Sequence, residues 1–386
     1  MSEWTTIRLG SVVRTNTTSY SPKEGWKYVN YLDTGNITEN VIDAIHHIDL
    51  ENEKLPSRAK RKVQMNSILY STVRPNQKHF GIIKSMPKNF LVSTGFAVID
   101  VISEKADADY LYFWLTQNTV VEQLHAIAEQ SVSAYPSIKA SDIENLEIAL
   151  PPLTVQKSIA SILKSISDKM SNNSNINENL EQQAQVLFKS WFVDFEPFSN
   201  QKPSGWSVST LDNVSIMGAG GDKPQNVSPI KSNLCQYPVY SNGLSDEGLY
   251  GFTDKPKIFK ESVTVSARGT IGFVCLRHIP YVPIVRLITL IPKTEIISAK
   301  YLYLWLKQLR ITGTGTTQQQ LTVPDFRKTE ILVPSQETVT LFTATVEPIF
   351  EKIWANQIEN EKLSSLRDTL LPKLMSGEID VADIQI

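Results

Sequence analysis

The chain has 386 residues, a formal net charge of −2, 41% hydrophobic residues and 20% charged residues. That length allows two or three domains with cores of their own, and the balance is that of an ordinary globular protein, not a disordered one. No stretch approaches the roughly 20 apolar residues of a membrane span, and near-neutral charge requires any nucleic-acid surface to be local. Residues 1–152 read as mixed and strand-rich. Asn66–Val73 and Asn89–Ile99 carry β-branched and aromatic residues between turn formers. Between Lys54 and Lys62 five of nine residues are basic, a pattern that ordinarily marks a solvated face. Asp109–Leu124 predicts a helix with Leu111, Leu115, Val121 and Leu124 toward one face and Asp109 as its N-cap. Leu150-Pro151-Pro152 then ends the domain.

From Thr154 to Phe192 neither proline nor glycine interrupts the chain. Ile159, Ile166, Asn173, Leu180 and Leu187 fall on every seventh residue, with Met170 among their neighbours, so the spacing predicts a long helix with a coiled-coil seam. One asparagine in an apolar seam fixes register at some cost in stability. Pro197–Pro203 closes this arm. The second half then repeats the first. Trp4 recurs as Trp206, and Tyr110-Leu111-Tyr112-Phe113-Trp114-Leu115 recurs as Tyr301-Leu302-Tyr303-Leu304-Trp305-Leu306. The second helical segment aligns with the first without a gap, placing Ile349, Ile353, Asn356, Leu363 and Leu370 on Ile166, Met170, Asn173, Leu180 and Leu187. Pro348 interrupts it, which predicts a start or bend there and an end between Pro372 and Gly377. The two stripes are expected to pack on each other, antiparallel or crossed, where Asn173 and Asn356 could meet as a pair; the alternative is that each stripe packs onto its own domain. The recurring tryptophans are expected to pack in cores. A repeat this long is a duplicated domain, not a solenoid unit.

Signatures of catalysis are missing. No Walker-type loop occurs, and Met217-Gly218-Ala219-Gly220-Gly221 lacks dinucleotide-binding spacing and reads as an ordinary loop. Leu150-Pro151-Pro152-Leu153 lacks the polar and aromatic residues of a base-methyltransferase motif. Pro324-Asp325 lacks the Glu-x-Lys that would follow it in a nuclease. The histidines show no metal-site spacing. Cys235 and Cys275 read as buried free thiols, and Met1-Ser2-Glu3-Trp4 has no signal-peptide character, so a cytoplasmic protein without a metal is expected.

Three strings carry a resemblance. Leu150-Pro151-Pro152-Leu153 with Gln156, Leu187-Phe188-Lys189-Ser190-Trp191-Phe192-Val193-Asp194-Phe195, and Leu366 through Ile379 resemble the conserved regions of the specificity subunits of type I restriction-modification systems. With the duplication, the match covers nearly the whole chain. The reading is α+β. Two tandem target-recognition domains, 1–152 and 203–334, are each mixed α/β with a strand-rich core. A first long helix at 153–196 and a second with the tail at 335–386 pack as a coiled-coil-like spacer, with internal pseudo-two-fold repetition.

The resemblance implies a non-catalytic subunit that recognises double-stranded DNA in two separated halves, one per domain, with the helices setting the gap. It implies docking of two modification subunits, which use S-adenosylmethionine to methylate adenine, and through them the motor and nuclease subunits. It implies no cofactor in this chain and no membrane partner. Base edges are read by Arg, Asn, Gln and Lys, and phosphates are held by basic and hydroxyl side chains. On that basis the first-domain candidates are Arg74, Asn76 and Lys78 in a post-strand turn, with Arg58, Lys60 and Arg61 as phosphate binders. In the second domain they are Arg268 and Thr270 in the equivalent turn, and Thr316, Gln318, Gln319 and Gln320 in a polar loop. A two-domain adaptor for protein partners is the alternative, separable by salt-dependent binding to duplex DNA.

Overall fold

The structure, a computed structural model, describes residues 4–131, 135–313 and 320–381. Backbone contacts divide the chain into two units: Met1–Asn172 with Glu359–Ile386, and Asn173–Ile358. In the first unit Thr5–Arg8 pairs antiparallel with Glu147–Leu150 and ties the two ends of the domain together. One four-stranded sheet runs in the order Val13–Thr15, Phe96–Val101, Ile68–Ser71, Phe80–Ile82. A second places Tyr28–Leu32 between antiparallel His46–Asp49 and parallel Phe90–Ser93, with Ala59–Arg61 beyond the latter. Side-chain alternation builds two cores on one sheet: Ile68, Tyr70, Ala97 and Ile99 face one, and Leu69, Phe96 and Val98 face the other. Burial on both faces explains why these strands read as unbroken apolar runs.

The second unit rebuilds the same frame. Ser207–Thr210 pairs with Glu330–Val333. The four-stranded sheet runs Ser215–Ala219, Ile288–Pro292, Ser262–Val265, Val274–Arg277. Tyr237–Tyr240 again lies between an antiparallel strand, Leu249–Thr253, and a parallel one, Val282–Pro283. Here the second face of the large sheet is polar. Arg277, 3% exposed, donates through Nε to Thr264 Oγ1 at 3.0 Å and through Nη1 and Nη2 to the side chain and carbonyl of Glu247 at 2.8 and 2.6 Å. Its guanidinium lies 3.6 Å from the ring centre of Tyr240.

Several local expectations change. The segment Asp109–Leu124 is two helices, Ala108–Leu115 and Asn118–Glu129, and the N-cap is Asp107, whose carboxylate accepts the Tyr110 N–H at 2.9 Å. Asp109 pairs instead with Lys84. The break falls where Thr116 Oγ1 and Gln117 Nε2 satisfy the carbonyls of Phe113 and Trp114. Asn89–Ile99 divides into strands of different sheets at Thr94-Gly95. Between the strands Val282–Pro283 and Ile288–Pro292 the chain leaves extended geometry, because Val285 and Arg286 take positive φ. Met217, Gly218 and Ala219 lie on a strand, not in a loop. Gly220 follows where a Cβ would meet the Ile284 backbone at 2.7 Å. Of the recurring tryptophans Trp206 is buried, while Trp4, Trp114 and Trp305 pack half-buried against the two cores.

The two long helices are Leu153–Phe192 and Gln336–Met375, 40 residues each, which is roughly 60 Å of rise. The second does not start at Pro348. Val339, Phe342 and Val346 are buried ahead of the proline and hold the preceding turns in place despite the lost hydrogen bond. Each helix serves both units. Ile159, Ala160 and Leu163 from the start of the first join Leu374 and Met375 from the end of the second in the first core. Ala184, Phe188 and Phe192 from the end of the first join Phe342, Val346, Phe350 and Ile353 from the start of the second in the other. The helices are therefore antiparallel within each unit.

Of the predicted packing positions Ile159, Ile166, Asn173, Ile353 and Asn356 are buried, whereas Met170, Leu180, Leu187, Ile349, Leu363 and Leu370 are half-buried. Ile159 lies in the first core and Leu370 packs against it, while Leu180, Leu187 and Ile349 pack against the second, whose central residues are more deeply buried. The polar contacts follow the repeat. Asn177 Nδ2 donates to the Ile353 carbonyl at 3.3 Å in one unit, and the aligned Asn360 donates to the aligned Met170 carbonyl at 3.2 Å in the other. The amide of Asn356 also donates to Asn177 Oδ1 at 2.8 Å, and Asn173 and Asn356 are both buried.

Phe342→Ala is expected to lower unfolding free energy by about 3–5 kcal/mol, measured in a denaturant titration. Both cysteines are free, but Cys235 is half-buried, not buried as expected. Burial pushes the Cys275 thiol up to about 12. A thiol titration of the native chain is therefore expected to show one readily reacting group, Cys235, with Cys275 reacting only on unfolding.

Candidate nucleic-acid interface

In the first domain the strand Ile68–Ser71 leads into a turn that is shaped by its backbone. Arg74 and Lys78 both adopt left-handed conformations, φ +47° and +57°, on either side of a single helical turn, Pro75–Gln77. A distant segment closes on it: the Ile138 N–H donates to the Thr72 carbonyl at 2.8 Å and the Arg74 N–H to the Pro136 carbonyl at 2.9 Å. The Arg74 guanidinium lies over the Tyr135 ring, 5.3 Å from its centre. Arg74 and Asn76 are exposed. Lys78 is paired with Glu39 at 2.8 Å and so presents less free charge than the sequence implied.

The basic segment divides by strand alternation. Arg58 and Lys60 are exposed on either side of buried Ala59. Arg61 is half-buried, its Nη1 has no hydrogen-bond partner, and burial pushes its guanidinium below the ordinary value. A partly desolvated cation is a poorer phosphate ligand in this position than its two neighbours. Lys62 leaves the basic set, since it pairs with Glu24 and lies 5.2 Å from the centre of the Trp26 ring.

In the second domain Ser262–Val265 leads into the matching turn. Ser266 Oγ accepts the Phe273 N–H at 2.9 Å and donates to the Thr270 carbonyl, closing the loop at its neck. Gly272 has φ +85°, and a Cβ there would meet the Ile311 carbonyl at 2.9 Å, so no larger residue fits. Arg268 and Thr270 are exposed at the tip. Again a distant segment closes on the turn: the Leu321 N–H donates to the Ala267 carbonyl at 3.0 Å, and Arg268 Nη2 donates to Gln320 Oε1 at 3.2 Å. Thr316, Gln318 and Gln319 lie outside the described residues.

The structure thus brings Arg74 and Asn76 beside Tyr135, and Arg268 beside Gln320, at equivalent places in the two copies. The sequence reading missed Tyr135 and Asn242. Asn242 Oδ1 accepts the Ala267 N–H at 2.7 Å, and its Nδ2 donates to the Val285 carbonyl at 2.7 Å, which fixes the base of the Arg268 turn. Ser241-Asn242-Gly243 reads as any polar turn, so only its distant partners reveal this role. Among the described residues no cluster of His, Cys, Asp or Glu could hold a metal ion, and no helix is long and apolar enough to cross a membrane.

Comparison with known proteins places this frame. The type I restriction modification DNA specificity domain matches the chain twice, over residues 1–182 and 203–364. The type I restriction enzyme HindI specificity subunit of Haemophilus influenzae is 27% identical, over 98% of this chain and 100% of that one. The MjaIX specificity subunit of Methanocaldococcus jannaschii is 29% identical, over 72% of this chain and 70% of its own. The crystal structure of a type I restriction-modification system S subunit from M. genitalium shares the fold. Its TM-score is 0.57 at 18% identity, covering 97% of this chain and 96% of that one. With two copies of the specificity domain across most of its length, the chain belongs to the family of type I restriction-modification DNA specificity subunits.

Proposed function

We propose that each domain reads one half of a bipartite DNA site and that the paired helices set the gap between the halves. The observation that carries this reading is the repetition of one device. In both units a strand of the same sheet ends in a turn that displays an exposed arginine, and a distant segment braces that turn. Arg74 with Asn76, and Arg268 with Gln320, are the base-reading candidates, because a guanidinium or side-chain amide can contact two atoms of one base edge. Arg58, Lys60 and Thr270 supply phosphate contacts that position without specifying. Lys78, already neutralised by Glu39, contributes less.

The chain performs no chemistry in this reading. It acts in the cytoplasm and docks two modification subunits, whose S-adenosylmethionine supplies the methyl group, and through them the restriction subunits. Half-sites read from one side of the duplex must be spaced to match its helical repeat, and a rigid helix pair can hold such a spacing. The asparagine contacts support rigidity, since sliding one helix past the other would break them.

Adenine-methylation mapping after co-expression with a modification subunit is expected to give two short defined halves around one gap. A contiguous motif would reject the reading. Arg268→Ala is expected to relax one half only, by about 1–3 kcal/mol at one base position, and Arg74→Ala the other half only. Inserting about 22 residues at aligned points of both helices adds roughly 33 Å of rise and is expected to lengthen the gap by about one helical turn of DNA, with both half-sites unchanged. The same gap in that variant would exclude the helices as the ruler.

A further inference from the structure

The two copies carry opposite charges at aligned positions where each domain meets its helix. In the second unit Lys300 lies at the start of the helix Ala299–Gln308 and is only 4% exposed. Its ammonium pairs with Glu261 at 2.8 Å, beside the strand that leads to the Arg268 turn, and with Glu347 of the second long helix at 3.0 Å. It also lies 5.2 Å from the centre of the Trp354 ring, two turns further along that long helix. A second cation on the same domain helix, Lys307, reaches Glu181 of the first long helix at 3.4 Å, and Tyr303 donates its hydroxyl to the same carboxylate. A cationic domain face therefore sits on acidic helices.

In the first unit the polarity is reversed. The repeat places Asp109 at the position of Lys300 and Lys164 at the position of Glu347. Asp109 pairs with Lys84 of its own domain at 2.7 Å, while Lys164 of the helix is held by Asp168 at 2.6 Å. The Lys164–Asp168 pair is open to solvent at 46% and 57% exposure, and Asp109 is half-buried. In the second unit the carboxylates of Glu261 and Glu347 are 33% and 38% exposed, and it is the Lys300 ammonium alone that is buried. An exposed pair rearranges at little cost. A buried ammonium held by carboxylates from two directions tolerates only the geometry that satisfies both, because moving it strands a charge away from water.

From this we infer that Lys300 is a positioning residue for DNA recognition: it fixes the angle at which the second domain stands on its helix, and through that angle the length of the gap. The inference rests on the bipartite reading above. Lys300 has no part in reading bases. It acts through the domain helix on one side and through Glu261 and its strand on the other. Removing it leaves Glu261 and Glu347 without their shared counter-ion and frees the domain to rock by a base-pair step.

The test is methylation mapping of the full chain in complex with a modification subunit. Wild type is expected to methylate at a single gap. Lys300→Met is expected to keep both half-site sequences and add sites with gaps one base pair shorter and longer, at about a tenth or more of the wild-type-gap level. Glu347→Gln, which leaves the Lys300–Glu261 pair intact, is expected to do the same more weakly and serves if Lys300→Met does not fold. The triple variant Lys300→Asp, Glu261→Lys, Glu347→Lys reverses all three charges while keeping both ion pairs and is expected to restore the single gap. A strict gap in both Lys300→Met and Glu347→Gln, or altered half-site letters in either, would overturn the inference. A wild-type complex that methylates a contiguous site would instead reject the bipartite reading on which it rests.

Discussion

The burial of two 40-residue amphipathic helices is the constraint on which the rest of this structure depends. Neither helix can bury its stripe within the domain that precedes it. Each gives its first half to its own domain and its second half to the other, so both cores are closed by residues far apart in the chain. The asparagine amides on backbone carbonyls then set register, because apolar side chains alone tolerate sliding. The same contact appears in both units at aligned positions, as duplication requires.

Within that frame the two copies have diverged where divergence is tolerated. The pairing of end strands, the order of the large sheet and the post-strand turn are shared. The second face of that sheet is not: apolar Leu69, Phe96 and Val98 pack there in one copy, while a buried arginine network occupies it in the other. Both solutions fill the same gap between sheets. An apolar face is adaptable, whereas Arg277 demands its acceptors in fixed places and so commits the loop around Glu247 to one shape.

What the sequence disclosed follows from the physics of each element. The duplication, the long helices and the absence of catalytic motifs were legible because heptad spacing and repeated aromatic strings survive without knowledge of contacts. The recognition surface was legible only as a kind of place, a polar turn after a strand. Whether Arg61 or Lys78 is free depends on Glu39 and on strand alternation, neither of which adjoins it in sequence. Pro348 does not begin its helix, because propensity argues locally while Phe342 and Val346 ahead of it are held by a core assembled from elsewhere. Asp107 rather than Asp109 caps the helix for a related reason: either residue fits the pattern, and only the side chain's reach to Tyr110 decides.

The interleaving of the helices also orders events during synthesis. The first core contains Leu374 and Met375, and Gly377 lies against the Trp4 indole, so the first domain is closed by residues made only after the whole of the second. Until residue 375 has left the ribosome, the apolar face of the first helix around Ile159 and Leu163 lacks part of its cover. The second unit has no such delay, since its residues form one continuous stretch from Asn173 to Ile358. The later domain can therefore finish first, and the nascent first domain is the stage most exposed to aggregation and to capture by chaperones.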